Sequence, residues 1–492
     1  MILSIDQGTT GTTVLVISPQ GEILGRGYSE FQQIFPQPGW VSHNASEIWQ
    51  TTLKVIQTAI SNAGVASSDL KGIGITNQRE TTVLWDKKTG EPVHDAIVWQ
   101  CRRTADLCEQ YKKDGLEEVV RNKTGLVIDA YFSATKIVWL LDHVDGLRKR
   151  AEHSEICFGT IDSFLLYKLT GGAVHSTEYT NASRTMIYNI HTKQWDTELL
   201  ELFNIPIEVL PEVKPSSGDF GTTIDLNVLP KGIPIGGIAG DQQAALFGQR
   251  GVHVGDIKNT YGTGCFTLFQ TGDQAIPSNH GLLTTLACNP VGQVSYALEG
   301  GVFSAGSAVQ WLRDGLSIIQ TAAETEPLAR SIDNTGGVYL VPAFTGLGAP
   351  HWNANARGTI VGITRGTERA HLARAALESI AYQSADLVQA MIADAQQPMA
   401  SLRVDGGAVV NDFLMQFQAD ILNVPVIRPK YVETTALGAG MLAGLATGVW
   451  KDADALAHIN PPEHTFEPAM PQDQREALMT GWHKAVKQTL SA

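Results

Sequence analysis

The feature that most constrains the fold of this chain is a strand–turn–strand unit that occurs twice. The first copy, "SIDQGTTGTTVLVIS" (4–18), has an apolar strand, a turn of Gly and Thr, and a second apolar strand. The second copy, "GDIKNTYGTGCFTLFQTG" (255–272), repeats that order. Alone, either stretch is typical of a plain β-hairpin, because Gly adopts positive φ and Thr favours strands. Two such hairpins predict two related α/β halves, with two unrelated hairpins as the alternative.

Strands and helices alternate after the first hairpin. The strands expected at 2–6, 12–17 and 22–28 are followed by apolar residues at helical spacing, which predict a helix from Ala45 to Ala63. Two further β-rich runs follow, "LKGIGIT" and "TVLWD". This alternation predicts an α/β fold.

The chain is long enough for two domains. Because the pattern of the first half starts again near Gly255, we expect an N-terminal domain at 1–248 and a C-terminal domain at 249–492.

The Gly/Thr turns also suit a phosphate ligand. Glycine lets the backbone approach a ligand closely, backbone amides and Thr hydroxyls point at anionic oxygens, and a nearby carboxylate can hold a metal ion through water. Two tips that face each other across a cleft would hold the phosphates of a nucleotide from both sides. Neither GxGxxG nor GxxxxGK[ST] occurs at these turns, which argues against a dinucleotide-binding fold and a P-loop.

A third glycine-rich turn lies in "LRVDGGAVVNDFLMQFQADIL" (402–422). A strand is expected to end at Asp405, and Gly406 and Gly407 form a tight turn before a helix. A glycine pair in this position lets a flat ring lie against the backbone, which suits an adenosine. The alternative is an ordinary strand-to-helix turn with Asp405 as the helix N-cap.

Asp241 stands at a comparable point in "GIAGDQQAALFG" (237–248), between an apolar strand and a helix. On spacing alone, the side chain is expected to cap the helix. A carboxylate at the end of a strand in an α/β domain also lies where ligands bind. If the cleft holds a phosphate donor, Asp241 can take the proton of an attacking hydroxyl.

Two charged residues, Arg79 and Glu80, fall between two predicted strands in "GITNQRETTVLWD" (74–86). Charged residues favour a solvated turn, which is one interpretation. The other is a polyol site, because Arg donates hydrogen bonds, Glu accepts them and hydroxyl groups do both. Tyr131 could stack on a ligand or donate a bond, and otherwise packs half-buried.

Composition excludes several classes of protein. A net charge of −14 argues against nucleic acid or an acidic membrane as a partner, because both need a basic surface. The five cysteines are scattered without a CxxC pair, which predicts reduced thiols in a cytosolic protein.

We expect no signal peptide and no membrane span. We interpret the apolar stretch "ALGAGMLAGLATGVW" (436–450) as a helix packed tightly against a neighbour.

These stretches together resemble the FGGY carbohydrate kinases over essentially the whole chain. The phosphate and adenosine motifs of that family resemble "DQGTT" (6–10), "YGTGC" (261–265) and "DGGAVVN" (405–411). Its two signature patterns resemble "YFSATKIVWLLDH" (131–143) and "GTIVGITRGTERAHLARAALE" (358–378). Four stretches are similar to the branch that phosphorylates glycerol, rather than xylulose, gluconate or fuculose: "ITNQRET" (75–81), "IVWQCRR" (97–103), "YTNASRTM" (179–186) and "GIAGDQQAALFG".

The resemblance implies an actin-like ATPase fold, with two ribonuclease-H-like domains around a central cleft, and phosphate transfer from ATP to glycerol. It implies that Asp241 is the general base and that Asp6 helps to hold Mg²⁺. It also implies a cytoplasmic enzyme that forms a dimer or tetramer. Two sets of residues carry over by position: the glycerol ligands Arg79, Glu80, Trp99, Tyr131, Asp241, Gln242 and Phe266, and the nucleotide contacts Thr9, Thr10, Gly11, Thr263, Gly306, Gln310, Gly407 and Asn411.

Two other functions are alternatives. A kinase for another polyol or sugar of the same family would differ in the acceptor shell, which is Trp99 and Phe266 with Arg79 and Glu80. An actin-like or chaperone-like ATPase that moves a partner protein would need a client-binding segment, and residues 451–492 are too few for one.

Two features differ from parts of the family. Some relatives carry an Arg at the position of Thr13. Any contact that this Arg makes with ADP in those relatives therefore has no counterpart here. Some bacterial relatives are inhibited by fructose 1,6-bisphosphate through a glycine-rich loop ending in Arg, and others are activated by phosphorylation of a His nearby. Here the stretch 222–237 has a lone Lys231 and no Arg, and no His lies between His191 and His253. We expect neither control.

Overall fold

The structure is a computed structural model that describes residues 1–290, 294–353 and 355–491. The strands of the first half are β1 Ile2–Gln7, β2 Gly11–Ile17, β3 Ile23–Glu30, β4 Ser42–His43, β5 Gly72–Asn77, β6 Val83–Asp86, β7 Ala96–Ile97, β8 Ile156–Gly159, β9 Ser176–Glu178, β10 Tyr188–Asn189, β11 Gln194–Trp195, β12 Glu212–Lys214 and β13 Ile235–Gly240. The helices of the first half are α1 Ala45–Ala63, α2 Ala105–Lys113, α3 Glu117–Thr124, α4 Ser133–His143, α5 Leu147–Glu152, α6 Ile161–Leu169, α7 Tyr179–Ala182, α8 Thr197–Phe203 and α9 Asp241–Gly248.

The second half has fewer strands and longer helices. Its strands are β14 Ile257–Tyr261, β15 Cys265–Gly272, β16 Leu283–Ala287, β17 Ser295–Val302, β18 Tyr339–Val341, β19 Thr359–Val361, β20 Leu402–Asp405, β21 Val426–Pro429 and β22 Pro462–Phe466. Its helices are α10 Gly306–Gln310, α11 Thr325–Arg330, α12 Arg369–Ala395, α13 Asp412–Leu422, α14 Thr434–Ala446 and α15 Gln472–Ser491.

The two main sheets have the same topology. The first has the order β3-β2-β1-β5-β13, in which β1, β2 and β3 are antiparallel neighbours while β5 and β13 run parallel to β1. The second contains the order β17-β15-β14-β20-β21 with the same directions, flanked by β16 and β22. The expected duplication is therefore confirmed, and so is the α/β, actin-like ATPase fold. The domain boundary after residue 248 stays a prediction.

The local sequence accounts for α1 and its place in the fold. Asn44 caps the helix by accepting from the amide of Glu47, and Gly64 ends it in the left-handed conformation, so the expected bounds are confirmed. The helix packs closely on β3 at two glycines. A Cβ at Gly25 would lie 2.3 Å from a carbonyl oxygen of α1, and one at Gly27 would lie 2.5 Å from another.

Helix α14 returns from the second half to pack on the first sheet. It contacts β1, β5, β13 and α9, and most of its residues are buried. The approach depends on small residues, since a Cβ at Gly74 would lie 2.2 Å from the Ala439 carbonyl oxygen. The expected tightly packed helix is confirmed, but it spans Thr434–Ala446, so residues 447–450 of the expected stretch lie beyond its end.

Two expectations from composition can also be compared with the fold. All five cysteines are free and buried. Within the described residues, no helix combines the length and the apolar character needed to cross a membrane.

Candidate active site

The first hairpin tip lies between β1 and β2. Its turn is closed by the Gly8 amide, which donates to the Gly11 carbonyl at 3.0 Å, and the Thr10 carbonyl accepts from the Phe31 amide at 3.3 Å. Gly11 is required by close packing, because a Cβ there would lie 2.8 Å from the carbonyl oxygen of Ser29.

Side-chain amides bind the remaining carbonyls of this tip. Gln33 Nε2 donates to the Thr9 carbonyl at 3.0 Å. The Gly8 carbonyl accepts from Gln7 Nε2 at 2.8 Å and from Gln78 Nε2 at 3.1 Å. Every carbonyl of the tip therefore accepts a hydrogen bond from within the protein. Among the described residues, no acceptor binds the backbone amides of Thr9 and Thr10.

The second tip, between β14 and β15, reaches the same arrangement through backbone groups alone. The Gly262 amide donates to the Gly264 carbonyl at 2.9 Å. The carbonyls of Gly262 and Thr263 accept from the amides of residues 305–307 at 2.9 to 3.1 Å. In the part of the chain that the structure describes, the amides of Thr263 and Gly264 have no acceptor. Both tips thus offer free N–H groups, which attract anions.

A cavity of about 390 Å³ adjoins the second tip. This volume falls within the range of small-molecule sites. Five residues expected to contact the nucleotide line it together: Thr263, Gly306, Gln310, Gly407 and Asn411.

The glycine pair of the third turn lies beside this cavity. Gly406 has a φ of 91°, which favours glycine, and a short 3₁₀ turn follows from Gly407. The alternative in which Asp405 caps the following helix is wrong, because Asn411 accepts from the Leu414 amide at 2.9 Å and caps α13. Asp405 instead accepts from Gln249 Nε2 at 2.6 Å.

Arg79 is buried, with 3% of its surface exposed, so the solvated-turn interpretation is wrong. Its Nη1 and Nη2 donate to the two carboxylate oxygens of Glu299 at 2.6 and 2.8 Å. Nη1 also donates to Gln243 Oε1 at 3.2 Å, and Nε lies 3.1 Å from Asp241 Oδ1. The guanidinium therefore joins the end of β5 to β17, across the two halves.

Glu80 is equally buried and has an unusual backbone. Its φ of 60° is uncommon for a residue other than glycine, and such conformations concentrate at functional sites. Its carbonyl accepts from Ser133 Oγ and from Lys136 Nζ, both at 3.1 Å. Burial lowers the pKa of Lys136 to about 7. The Glu80 carboxylate accepts from Arg184 Nε at 2.6 Å.

The sequence reasoning missed Glu299 and Arg184, which complete this cluster. Arg184 is fully buried, and its Nη2 donates to Glu299 Oε1 at 3.1 Å. Burial alone would raise the pKa of Glu299, but the guanidinium groups of Arg184 and Arg79 hold it at about 2. Two buried cations therefore face the carboxylates of Glu299 and Glu80. Buried charges need such partners, and a search for unexplained charged residues in predicted strands could have found Glu299.

Three aromatic residues form a wall beside the charged cluster. The Trp99 ring meets the Tyr131 ring edge-on at 5.6 Å between centroids, and the Phe266 ring at 6.5 Å. Trp99 Nε1 donates to Thr9 Oγ1 at 2.9 Å, which connects this wall to the first tip. The guanidinium of Arg184 lies 5.6 Å from the Tyr131 ring centroid.

Asp241 is the first residue of α9, and the expectation that it caps this helix is wrong. Gly240 occupies the N-cap position, and no side chain caps the helix. Asp241 Oδ1 accepts from the Gln242 amide at 2.7 Å, while no described donor binds Oδ2. The neighbouring Gln242 Oε1 accepts from the buried Lys258 Nζ at 2.5 Å. Burial lowers the pKa of Lys258 to about 8.

Asp6 lies near Asp241 at the end of β1. Burial and the negative charge of Asp241 raise the pKa of Asp6 to about 7, and none of the described donors binds its carboxylate. A carboxylate in this condition favours a cation. The described residues contain no group of three or more His, Cys, Asp or Glu side chains placed to hold a metal ion. Thr13 pairs with Asp6 across the β1–β2 ladder.

These features define a class of protein. A two-domain ATPase with the actin-like fold has two sheets of the same topology, a Gly/Thr tip from each half, and a buried polar site between the halves. This structure has all three features.

The family follows from comparison with known proteins. The model of the FGGY family of carbohydrate kinases, N-terminal domain, matches residues 1–248, and that of the C-terminal domain matches residues 257–447. The chain belongs to the FGGY family of carbohydrate kinases.

Individual relatives are similar over nearly the whole length. Glycerol kinase 2 of Thermotoga maritima is 56% identical over 489 residues, which cover 99% of this chain and 98% of that protein. Glycerol kinase of Deinococcus radiodurans is 58% identical, with 99% and 96% covered. The crystal structure of Plasmodium falciparum glycerol kinase with ADP superposes with a TM-score of 0.92 at 37% identity, covering 99% and 98%. A ligand-bound xylulose kinase from Lactobacillus acidophilus shares the fold, with a TM-score of 0.86 at 21% identity over 100% and 98%.

Proposed function

We propose that this protein transfers the γ-phosphoryl group of ATP to glycerol, releasing glycerol 3-phosphate and ADP, with Asp241 as the general base. The observation that carries the proposal is the state of the Asp241 carboxylate. One oxygen is oriented by the Gln242 amide and by Arg79, while none of the described donors binds the other. The similarity to glycerol kinases at 56% and 58% identity supports the choice of reaction.

Glycerol binds between the charged cluster and the aromatic wall. Its hydroxyl groups both donate and accept, so they suit the adjacent donor Arg79 and acceptor Glu80, together with Gln242 and the Tyr131 hydroxyl. The rings of Trp99 and Phe266 cover the C–H face of glycerol, as the resemblance to the FGGY kinases implies. The buried ion pairs with Glu299 and Arg184 fix these groups before glycerol arrives, which lowers the entropic cost of binding.

The nucleotide lies across both tips. The adenosine occupies the cavity between Gly407, Asn411 and Gln310, and the free amides of the two tips bind the phosphates together with the hydroxyls of Thr9, Thr10 and Thr263. Charge-assisted bonds from N–H groups to phosphate are among the stronger hydrogen bonds in proteins. A phosphate chain that touches both tips also draws the two halves together.

Mg²⁺ is the metal that this site fits, and Asp6 would hold it through water. When bound, such an ion neutralises charge on the phosphates during transfer. Asp6 has no competing hydrogen bond among the described residues, and its raised pKa shows how poorly its charge is balanced without a cation.

In the transfer step, Asp241 orients the attacking glycerol hydroxyl and takes its proton. The glycerol oxygen then forms a bond to the γ-phosphorus as the bond to the β-bridging oxygen breaks, and ADP leaves with that electron pair. General base action of this kind supplies about 10²–10⁴ in rate. The expected cytoplasmic location and the dimer or tetramer stay predictions.

An assay of the purified chain with Mg²⁺ tests the proposal. We expect ATP consumption to depend on glycerol and to form glycerol 3-phosphate in equal amounts, measured by ³¹P NMR. Xylulose and gluconate serve as matched acceptors in the same assay. Faster turnover of either acceptor would replace glycerol with another substrate of the family, and ATP consumption independent of every acceptor would overturn the kinase proposal.

A further inference from the structure

The buried histidine of β4 belongs to the hydrogen-bond network beneath the first tip. His43 has no exposed surface, and its ring meets the Phe31 ring edge-on at 5.0 Å. His43 Nε2 lies 2.8 Å from Gln33 Oε1, and the amide nitrogen of that same Gln33 donates to the Thr9 carbonyl at 3.0 Å. The histidine therefore reaches the tip through one glutamine side chain.

The chemistry of the partners fixes the protonation of the ring. Gln78 Oε1 accepts from Thr81 Oγ1 at 2.9 Å, so the amide nitrogen of Gln78 faces His43 Nδ1, which therefore carries no proton. In a neutral ring the proton then lies on Nε2, which donates to Gln33 Oε1. Gln78 Nε2 lies 3.4 Å from Nδ1, and it donates to the Gly8 carbonyl at 3.1 Å and to Gln7 Oε1 at 3.2 Å, which hold Gln78 without His43. Burial lowers the pKa of His43 to about 4, so the ring is neutral at neutral pH, as this arrangement requires.

Rotation of the Gln33 amide by half a turn would reverse these contacts. Its oxygen would then face the Thr9 carbonyl, and its nitrogen would face the N–H of His43. Both contacts would pair like partial charges. The His43 N–H and the Thr9 carbonyl therefore together select the orientation in which Gln33 donates to that carbonyl.

We propose that His43 is a positioning residue for nucleotide binding, which orients Gln33 so that it holds the Thr9 carbonyl of the first tip away from the phosphates. This inference rests on the proposed function, in which that tip binds phosphate. His43 contacts neither substrate and acts only through Gln33.

The first test replaces the ring. We expect His43→Ala to lower kcat/KM for ATP by about 5- to 10-fold, as the loss of one or two hydrogen bonds would, with a smaller change in KM for glycerol. His43→Gln, which retains one donor and one acceptor, should restore most of the loss. His175→Ala is the matched control, because His175 is also a neutral histidine of the first half, bonded to the Phe158 carbonyl at 2.8 Å.

The second test uses the relay itself and does not depend on the folding of His43→Ala. Gln33→Met removes both amide groups at nearly constant length, and Gln33 is only partly buried. We expect the same loss in kcat/KM for ATP as in His43→Ala, and no further loss in the double variant. Unchanged kinetics in Gln33→Met, additive losses in the double variant, or an equal loss in His175→Ala would each overturn the proposal.

Calorimetric titration with ADP separates this inference from the proposed function. If the wild-type chain binds ADP but fails to phosphorylate glycerol, the proposed reaction is wrong. Weaker ADP binding in His43→Ala and Gln33→Met would then still support the positioning role, and equal ADP binding in both variants would overturn it.

Discussion

The two hairpin tips reach one electrostatic arrangement by different chemistry. At the first tip, the carbonyls of Gly8 and Thr9 accept from glutamine side chains. At the second tip, the donors that the described residues supply to the carbonyls of Gly262 and Thr263 are the backbone amides of residues 305–307. At both tips, donors from the protein bind the carbonyl oxygens of the turn. Backbone N–H groups of the turn therefore remain free to bind a ligand.

The difference indicates which substitutions each tip tolerates. The first tip depends on side chains with hydrogen-bonding groups, so replacing Gln33 or His43 alters it. The second depends on the close approach of two backbone segments, since a Cβ at Gly306 would lie 2.6 Å from the Gly262 carbonyl oxygen. A duplicated fold thus conserves the direction of the amides rather than the residues that hold them.

The largest effect is expected from a variant that alters neither tip. Asp241→Asn keeps the shape of the side chain but cannot take a proton, so kcat should fall by about 10²–10⁴-fold. The affinity for ADP should stay near the wild-type value, because the amides of the two tips, and not Asp241, bind the phosphates. Steady-state kinetics with ADP titration checks both, and a variant that kept most of its turnover would show that Asp241 is not the base.

Gly306→Ala should break the second tip alone. The added Cβ collides with backbone, and such overpacking costs about 1–3 kcal/mol, so kcat/KM for ATP should fall by about 5- to 150-fold, together with the melting temperature. Gly262→Ala is the control for stability, because its Cβ would come no closer than 3.6 Å to another group. Equal melting temperatures in the two variants would contradict the packing argument.

The ends of the two first strands differ in charge, since Asp6 precedes the first tip by two residues and Thr260 holds that place before the second. The pKa of Asp6 is raised to about 7 in the folded protein, so the ionised carboxylate destabilises the fold as pH rises from about 4 to 7. Asp6→Asn should therefore raise the melting temperature at pH 8 by a few degrees, since about 1 kcal/mol shifts it by about 2–4 °C.

Thermal melts of Asp6→Asn and the wild type from pH 3.5 to 8 check this sign. The gain should vanish below pH 4, where the carboxylate is protonated in both states, and should shrink when Mg²⁺ and ATP are added. A gain that is constant across this range would show that Asp6 is not the titrating group.

The smallest effect is expected where the first tip meets the acceptor site, a contact without a counterpart at the second tip. Trp99→Phe keeps an aromatic ring but removes the Nε1–H that donates to Thr9 Oγ1 at 2.9 Å. The loss of this one hydrogen bond should lower kcat/KM for ATP by about 2- to 10-fold. Phe266→Leu, which alters the same wall without touching Thr9, should change only the KM for glycerol, and an equal effect of both on ATP would contradict the link.

Much of the fold could be predicted because its signals are local. The bounds of α1 follow from Asn44, Gly64 and the spacing of its apolar residues. The hairpins follow from alternation around Gly/Thr turns, and their recurrence gave the duplication. The caps of α9 and α13 could not be predicted, because an Asp at either turn fits the cap pattern while the backbone places Gly240 and Asn411 there.

The charged cluster shows why the rest of the site escaped prediction. The sequence left Arg79 and Glu80 open between a solvated turn and a polyol site, because their partners are distant in sequence: Arg184 and Glu299 lie 104 and 220 residues from the groups that they bind. No spacing rule connects such residues, and only the packing of β17 against the first half brings them together. His43 and Gln33 belong to no sequence motif. They act on a backbone carbonyl of the first tip, and a sequence does not show which carbonyls need a hydrogen-bond donor.

A crystal structure of the chain with ADP, Mg²⁺ and glycerol tests the central claim most directly. The account predicts phosphate oxygens within hydrogen-bond distance of the amides of Thr9 or Thr10 from one half and of Thr263 or Gly264 from the other, with Asp241 beside a glycerol hydroxyl. Phosphates bound by one tip alone, with the other tip's amides bonded to protein or turned to solvent, would contradict it.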